Sequence, residues 1–134
     1  MKIEAISHIT FIVRDLERMS NFLCNGLGAT EVYDSKVRNF SLSREKFFVL
    51  GGTWIAAMEG VSPDERTYQH VAFKVSPEDL PRFENRLRDL GVEMKSKRNR
   101  VEGEGESLYF YDFDNHLFEL HTGTLEQRLH RYAE

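Results

Sequence analysis

A chain of 134 residues, 40% hydrophobic and with ten phenylalanines, has the length of one domain and enough apolar side chain for an ordinary core. Its net charge of −4 and pI near 5.8 argue against nucleic acid as a partner, because phosphate binding calls for a basic face. The single cysteine, Cys24, excludes an internal disulfide. The N-terminus shows no secretory pattern, and the apolar runs are too short to cross a membrane, so a soluble cytoplasmic protein is expected.

Ser7 to Val13 is rich in β-branched residues and reads as a strand. Asp15 can cap a helix whose Leu16, Met19 and Leu23 form one apolar stripe, closed by Gly26 and Gly28. Short strands are expected at Ala29 to Tyr33, Phe40 to Leu42, Phe47 to Leu50 and Trp54 to Met58, with a hairpin turn at Gly51-Gly52. Residues 60–66 read as a linker. The order then repeats. Gln69 to Val75 is a strand, and Ser76 or Asp79 can cap a helix with Pro77 or Pro81 in its first turn. Leu80, Phe83, Leu87 and Leu90 are its stripe and Gly91 its stop. Strands follow at Val92 to Lys95, Leu108 to Tyr111 and Leu117 to His121, the last two joined by a turn at Asp112 to Asn115. Thr124 and Gln127 form a capping box for a final helix.

The repeat predicts an α+β fold of two βαβββ modules, at about 4–59 and 67–122, with a C-terminal helix at about 124–132. Each module can cover one sheet face with its helix and leaves the other open. Two modules must therefore pair to close a cavity.

His8 and His70 hold the same place in the two opening strands, and Glu119 lies in the last strand of the second module. Two imidazoles and a carboxylate on rigid strands can hold one side of a metal ion and leave positions open for substrate oxygens. Aligning Trp54 with His116 makes Ala57 the counterpart of Glu119, so the ligand set is asymmetric. Read alone, Glu45 is an exposed turn carboxylate and Arg128 a solvated helix charge. The run Lys95-Ser96-Lys97-Arg98-Asn99-Arg100 reads as a solvated loop or a local anion site. The glycines of Val101 to Glu106 make a loop without the spacing of a phosphate cradle.

Ser7-His8-Ile9-Thr10, Arg66-Thr67-Tyr68-Gln69-His70-Val71-Ala72-Phe73, the segment Ser107 to His121 and the tail Thr122 to Leu129 together resemble fosfomycin resistance proteins over essentially the whole chain. These belong to the vicinal-oxygen-chelate superfamily. Phe40-Ser41-Leu42-Ser43-Arg44-Glu45-Lys46-Phe47-Phe48 and Arg98 to Gly105 are similar to the epoxide-hydrolase branch, the FosX type, rather than to the thiol transferases. The resemblance implies His8, His70 and Glu119 as ligands of Mn2+, other divalent metals being possible. It implies Glu45 as general base, and Thr10, Trp54, Tyr68, Arg98, Arg100, Ser107, Tyr109 and Arg128 around the substrate. Fosfomycin or a related small phosphonate is the implied substrate. The implied assembly is a domain-swapped homodimer in which module one of one chain pairs with module two of the other. Two departures stand out: Glu106 occupies a place where hydrolases carry Arg, and Asn99 one where transferases carry a phosphonate-binding Lys. A thiol transferase and a non-catalytic drug-binding protein on the same scaffold are the rival readings.

Overall fold

Two units divide the chain, Met1–Asp64 and Glu65–Glu134, and both follow one plan. The computed structural model describes residues 1–38, 40–95 and 102–134. Unit one runs β1 (His8–Val13), α1 (Leu16–Asn21), β2 (Thr30–Asp34), β3 (Glu45–Leu50) and β4 (Thr53–Glu59), with sheet order β1-β4-β3-β2. Strands β1 and β4 are parallel, and the other pairs are antiparallel. Asp15 is extended and its carboxylate accepts from the Arg18 N–H at 3.0 Å, satisfying a free donor of the first turn. A π-helical turn, Phe22–Gly26, continues α1, and Phe22 and Leu23 are both fully buried. Gly51 and Gly52 both take positive φ, as a two-residue turn that matches strand twist requires.

Strand alternation then sorts the side chains. Phe11, Val13, Phe48, Ile55 and Ala57 are buried, as are Leu16, Met19, Phe22 and Leu23 of the helical segment. Lys46 falls on the same face as Phe48, and its ammonium reaches Glu31 at 2.8 Å and Glu17 at 3.1 Å. Burial pushes the Lys46 pKa down, yet the bonds to the two carboxylates outweigh it and hold the pKa above its ordinary value. Glu31 is correspondingly held low: burial opposes this, and the bonds from Lys46 and Ser20 prevail.

Unit two runs β5 (His70–Lys74), a 3-10 turn (Pro77–Asp79), α2 (Leu80–Asp89), β6 (Glu93–Met94), β7 (Ser107–Tyr111), β8 (Leu117–His121) and α3 (Leu125–Tyr132). Its sheet order, β5-β8-β7-β6, repeats that of unit one, again with a parallel first pair. Phe73, Phe110 and Phe118 stack on the buried face, where Leu108, Phe110, Phe118 and Leu120 are at most 3% exposed. Asp112 is buried, and its carboxylate accepts from the backbone N–H groups of Asp114 and His116, which fixes the β7–β8 turn. Thr124 and Gln127 form the expected capping box of α3. Among the described residues no helix is long and apolar enough to cross a membrane.

Three local expectations are corrected. Phe40 to Leu42 is not a strand: β2 pairs directly with β3, so these residues belong to the connection, with Phe40 71% and Leu42 96% exposed. Neither Ser76 nor Asp79 caps a helix with its side chain; a 3-10 turn begins at Pro77 instead. The counterpart of Glu119 is Ala56, not Ala57. His8 pairs with Trp54 and His70 with Leu117, which puts Thr10 opposite Ala56 and Ala72 opposite Glu119. A one-residue slip moves a side chain to the other face, so the difference is material.

Candidate metal and substrate site

The face of each sheet turned away from the buried aromatic core collects the residues marked in the sequence. In unit one, register places His8, Thr10, Trp54, Ala56, Phe47 and Glu45 on that face together. The ring of His8 lies 4.2 Å from that of Trp54, and Phe47 meets Trp54 edge-on at 5.1 Å. His8 Nδ1 is 2.9 Å from the Ser7 hydroxyl, which leaves Nε2 for another partner. Glu45 begins β3 opposite Met58 and is only 8% exposed. Its backbone N–H donates to the Ser35 hydroxyl and its carbonyl accepts from the Ser35 N–H. Its carboxylate has no hydrogen-bond or ion-pair partner among the described residues. The exposed-turn reading of Glu45 is therefore set aside.

In unit two the same face carries His70, Ser107, Tyr109, Glu119 and His121. His70 Nδ1 is 2.6 Å from the carbonyl oxygen of Tyr68. A carbonyl can only accept, so Nδ1 carries the ring proton and the neutral ring presents the Nε2 lone pair. That lone pair faces Glu119 Oε1 at 2.9 Å. A proton or a metal ion between the two would satisfy both. A backbone carbonyl behind a strand histidine is the usual support for a metal ligand. The donor set of imidazole nitrogens and a carboxylate oxygen suits a first-row divalent ion. Among the described residues, neither unit by itself gathers three His, Cys, Asp or Glu side chains into a metal cage.

The rest of this face surrounds the pair. Tyr68 packs edge-on against His70 at 4.9 Å and its hydroxyl donates to that of Tyr109 at 3.3 Å. Burial first, then the Tyr68 hydroxyl and the Glu119 charge, push the Tyr109 pKa well above its ordinary value, so the phenol keeps its proton. Lys95 places its ammonium 4.6 Å from the Tyr68 ring centre. Arg128, on α3, is half-buried. Arg98 and Arg100 lie outside the described residues. His121 was missed in the sequence. Its Nδ1 is 2.7 Å from the Ser107 hydroxyl and 3.4 Å from Glu119 Oε2. The period-two pattern of β8 would have placed it beside Glu119.

The sequence of residues 5–120 matches the model of the Glyoxalase/Bleomycin resistance protein/Dioxygenase superfamily. The chain is 55% identical over 132 residues to the fosfomycin resistance protein FosX of Listeria monocytogenes, covering 98% of this chain and 99% of that one. It is 39% identical over 137 residues to the metallothiol transferase FosB of Bacillus licheniformis, covering 98% and 83%. Among solved structures it is similar to a mutant of the Listeria monocytogenes FosX complexed with Mn(II) and 1S,2S-dihydroxypropylphosphonic acid. The TM-score there is 0.88 at 55% identity, covering 98% of this chain and 99% of that one.

Proposed function

The chain belongs to the Glyoxalase/Bleomycin resistance protein/Dioxygenase superfamily, and from that premise we propose that it adds water to the epoxide of fosfomycin. The product is the vicinal diol phosphonate and the outcome is resistance to the drug. The observation that carries the reading is the contact of His70 Nε2 with Glu119 Oε1 at 2.9 Å, a ready half of a cation site. His8 supplies the third ligand. A homodimer, in which unit one of one chain meets unit two of its partner, brings the two half-sites together in the cytoplasm of the resistant cell.

Mn(II) held by His8, His70 and Glu119 would polarise the epoxide C–O bond and offset the charge that develops on its oxygen. The chain's own groups do the rest. Glu45 takes a proton from the attacking water as that water opens the ring from the side opposite the breaking bond, and the oxygen released from the ring takes a proton from solvent to complete the diol while Glu45 gives its proton back to solvent. Its carboxylate is shielded and has no competing partner among the described residues, which suits a base that must face water. The hydroxyls of Thr10 and Tyr109 and the guanidinium of Arg128 hold the phosphonate; Arg98 and Arg100 join them. Tyr109 remains a donor throughout, because its pKa is raised. Trp54 and Tyr68 wall the small substrate and exclude bulk water. Ser107 stands beside them with its proton directed at Glu119.

Phosphorus NMR of fosfomycin with protein and manganese, run with and without a thiol, tests the proposal. Diol formed without thiol is the expected result. A requirement for thiol identifies a transferase, and unchanged drug after prolonged incubation identifies a binding protein.

A further inference from the structure

Around Glu119, the open face of unit two holds a polar cluster of Ser107, Glu119 and His121. Ser107 and His121 pair directly across β7 and β8, and Tyr109 pairs with Glu119 two residues along on the same face. The Ser107 hydroxyl lies 2.6 Å from Glu119 Oε2 and 2.7 Å from His121 Nδ1. A hydroxyl has one proton, and an ionised carboxylate can only accept. The proton is therefore directed at Glu119, and the oxygen lone pair takes an N–H from His121 Nδ1. The opposite assignment would set two oxygen acceptors 2.6 Å apart. The His121 ring is itself confined. A methyl group on Gly123 would lie 2.7 Å from His121 Nε2 and 2.5 Å from the Glu104 carbonyl oxygen, so this glycine leaves the ring the space it occupies.

We infer that His121 and Ser107 form a hydrogen-bond relay that ties up Glu119 Oε2, so that Glu119 binds the metal through Oε1 alone. This rests on the metal-site reading above. The two carboxylate oxygens are already differentiated: Oε2 receives the Ser107 proton, and Oε1 faces the His70 lone pair. A carboxylate free to rotate can bind through both oxygens and crowd out a substrate oxygen. Holding Oε2 keeps the ion's remaining positions for the phosphonate and the epoxide. Ser107 and His121 are thus positioning residues that act through Glu119. Supports of this kind typically change metal affinity by ~10- to 100-fold when removed.

The test is Mn(II) binding to the full-length protein, followed by electron spin resonance in the absence of substrate. Ser107→Ala is expected to weaken affinity by ~10- to 100-fold and to alter the spectrum of the bound ion. Ser107→Thr, which keeps the hydroxyl, should restore both. His121→Asn puts an amide N–H near the place of Nδ1 and should stay close to wild type, whereas His121→Phe should behave like Ser107→Ala. Circular dichroism identifies any variant that fails to fold, and the Thr and Asn variants then carry the comparison. Wild-type affinity and spectrum in Ser107→Ala overturn the relay. So does a rise in KM for fosfomycin with metal binding unchanged, which would make Ser107 a substrate contact. If the wild-type protein binds no Mn(II), the metal-site reading itself falls, and that outcome is separate from the variant comparison.

Discussion

The two units share a strand order and a parallel first pair, yet their open faces differ in kind. That of unit one is sparsely bonded: His8 leans on Trp54, and Ile12, Val49 and Trp54 are between 37% and 41% exposed. That of unit two is knitted together, with Tyr68, Tyr109, Ser107, Glu119, His70 and His121 joined in one network. The strand position that holds Glu119 in unit two holds Ala56 in unit one. Duplication of a unit thus yields an asymmetric site when one copy keeps the charged ligand and its supports. In the site proposed above, the other copy would contribute a third ligand, an apolar wall and a base.

The largest effects should come from removing that asymmetry at the ligands. His8→Ala, His70→Ala and Glu119→Ala are each expected to stay folded and to lose Mn(II) affinity by more than ~100-fold, beyond what a supporting residue accounts for. Titration by spin resonance checks it, and wild-type affinity in any of the three removes that residue from the set. Mixing His8→Ala with Glu119→Ala should then restore some activity, because exchanged dimers contain one site free of both lesions. No recovery, with exchange confirmed by native mass spectrometry, would place the whole site within one chain.

Next comes the base. Glu45→Gln should fold and bind manganese but form diol at least ~100-fold more slowly, the contribution expected of a positioned base. A near-wild-type rate in this variant would show that the open face of unit one supplies no proton acceptor.

The register itself can be broken at adjacent residues. Ala57 is fully buried on the helix-packed face directly opposite Lys46, so Ala57→Glu should destabilise by about 3 kcal/mol, from overpacking and from desolvating a carboxylate that Lys46 offsets only in part. Ala56→Glu puts the carboxylate on the open face and should cost less by roughly 2 kcal/mol. Denaturant melts of the two variants decide it, and equal losses would return Ala57 to the place of Glu119.

The smallest expected effect concerns Lys46. Glu31 is held below its ordinary 4.5, so the stability it contributes is present above that pH and is lost as pH falls through the lowered value. Lys46 is held above its ordinary 10.5, so its contribution is present below that pH and is lost as pH rises through the raised value. Lys46→Met should therefore cost about 1–3 kcal/mol near neutrality, with the deficit shrinking as the medium is made acid enough to protonate Glu31. A deficit that does not change with pH would mean that Lys46 contributes packing alone.

Much of this is legible in the sequence alone. The β-branched runs opening with His8 and His70 announced the duplication, and Asp15, Thr124, Gln127 and the Gly51-Gly52 pair placed caps and a turn through chemistry local to each. What escaped depended on pairing across the sheet. Phe40 to Leu42 has a strand-like composition, yet β2 pairs directly with β3 and leaves it in the connection between them. Ala56 and Ala57 are identical in side chain, so only the β1–β4 register tells them apart. His121 acquires meaning from Ser107, which lies on another strand. The burial of Glu45 follows from the rest of its unit, and no neighbouring residue in sequence reveals it.

The parallel first pair has one further consequence, for the order in which the molecule is made. The strand that opens each unit pairs only with the strand that closes it, while the intervening strands zip antiparallel to their neighbours. On the ribosome β1 must wait, with no sheet to join, until β4 has emerged, and β5 must wait in the same way for β8. Such non-local pairing is the slow part of folding. His8 and His70 both ride on these waiting strands, so each takes its place only when the sheet of its own unit is complete.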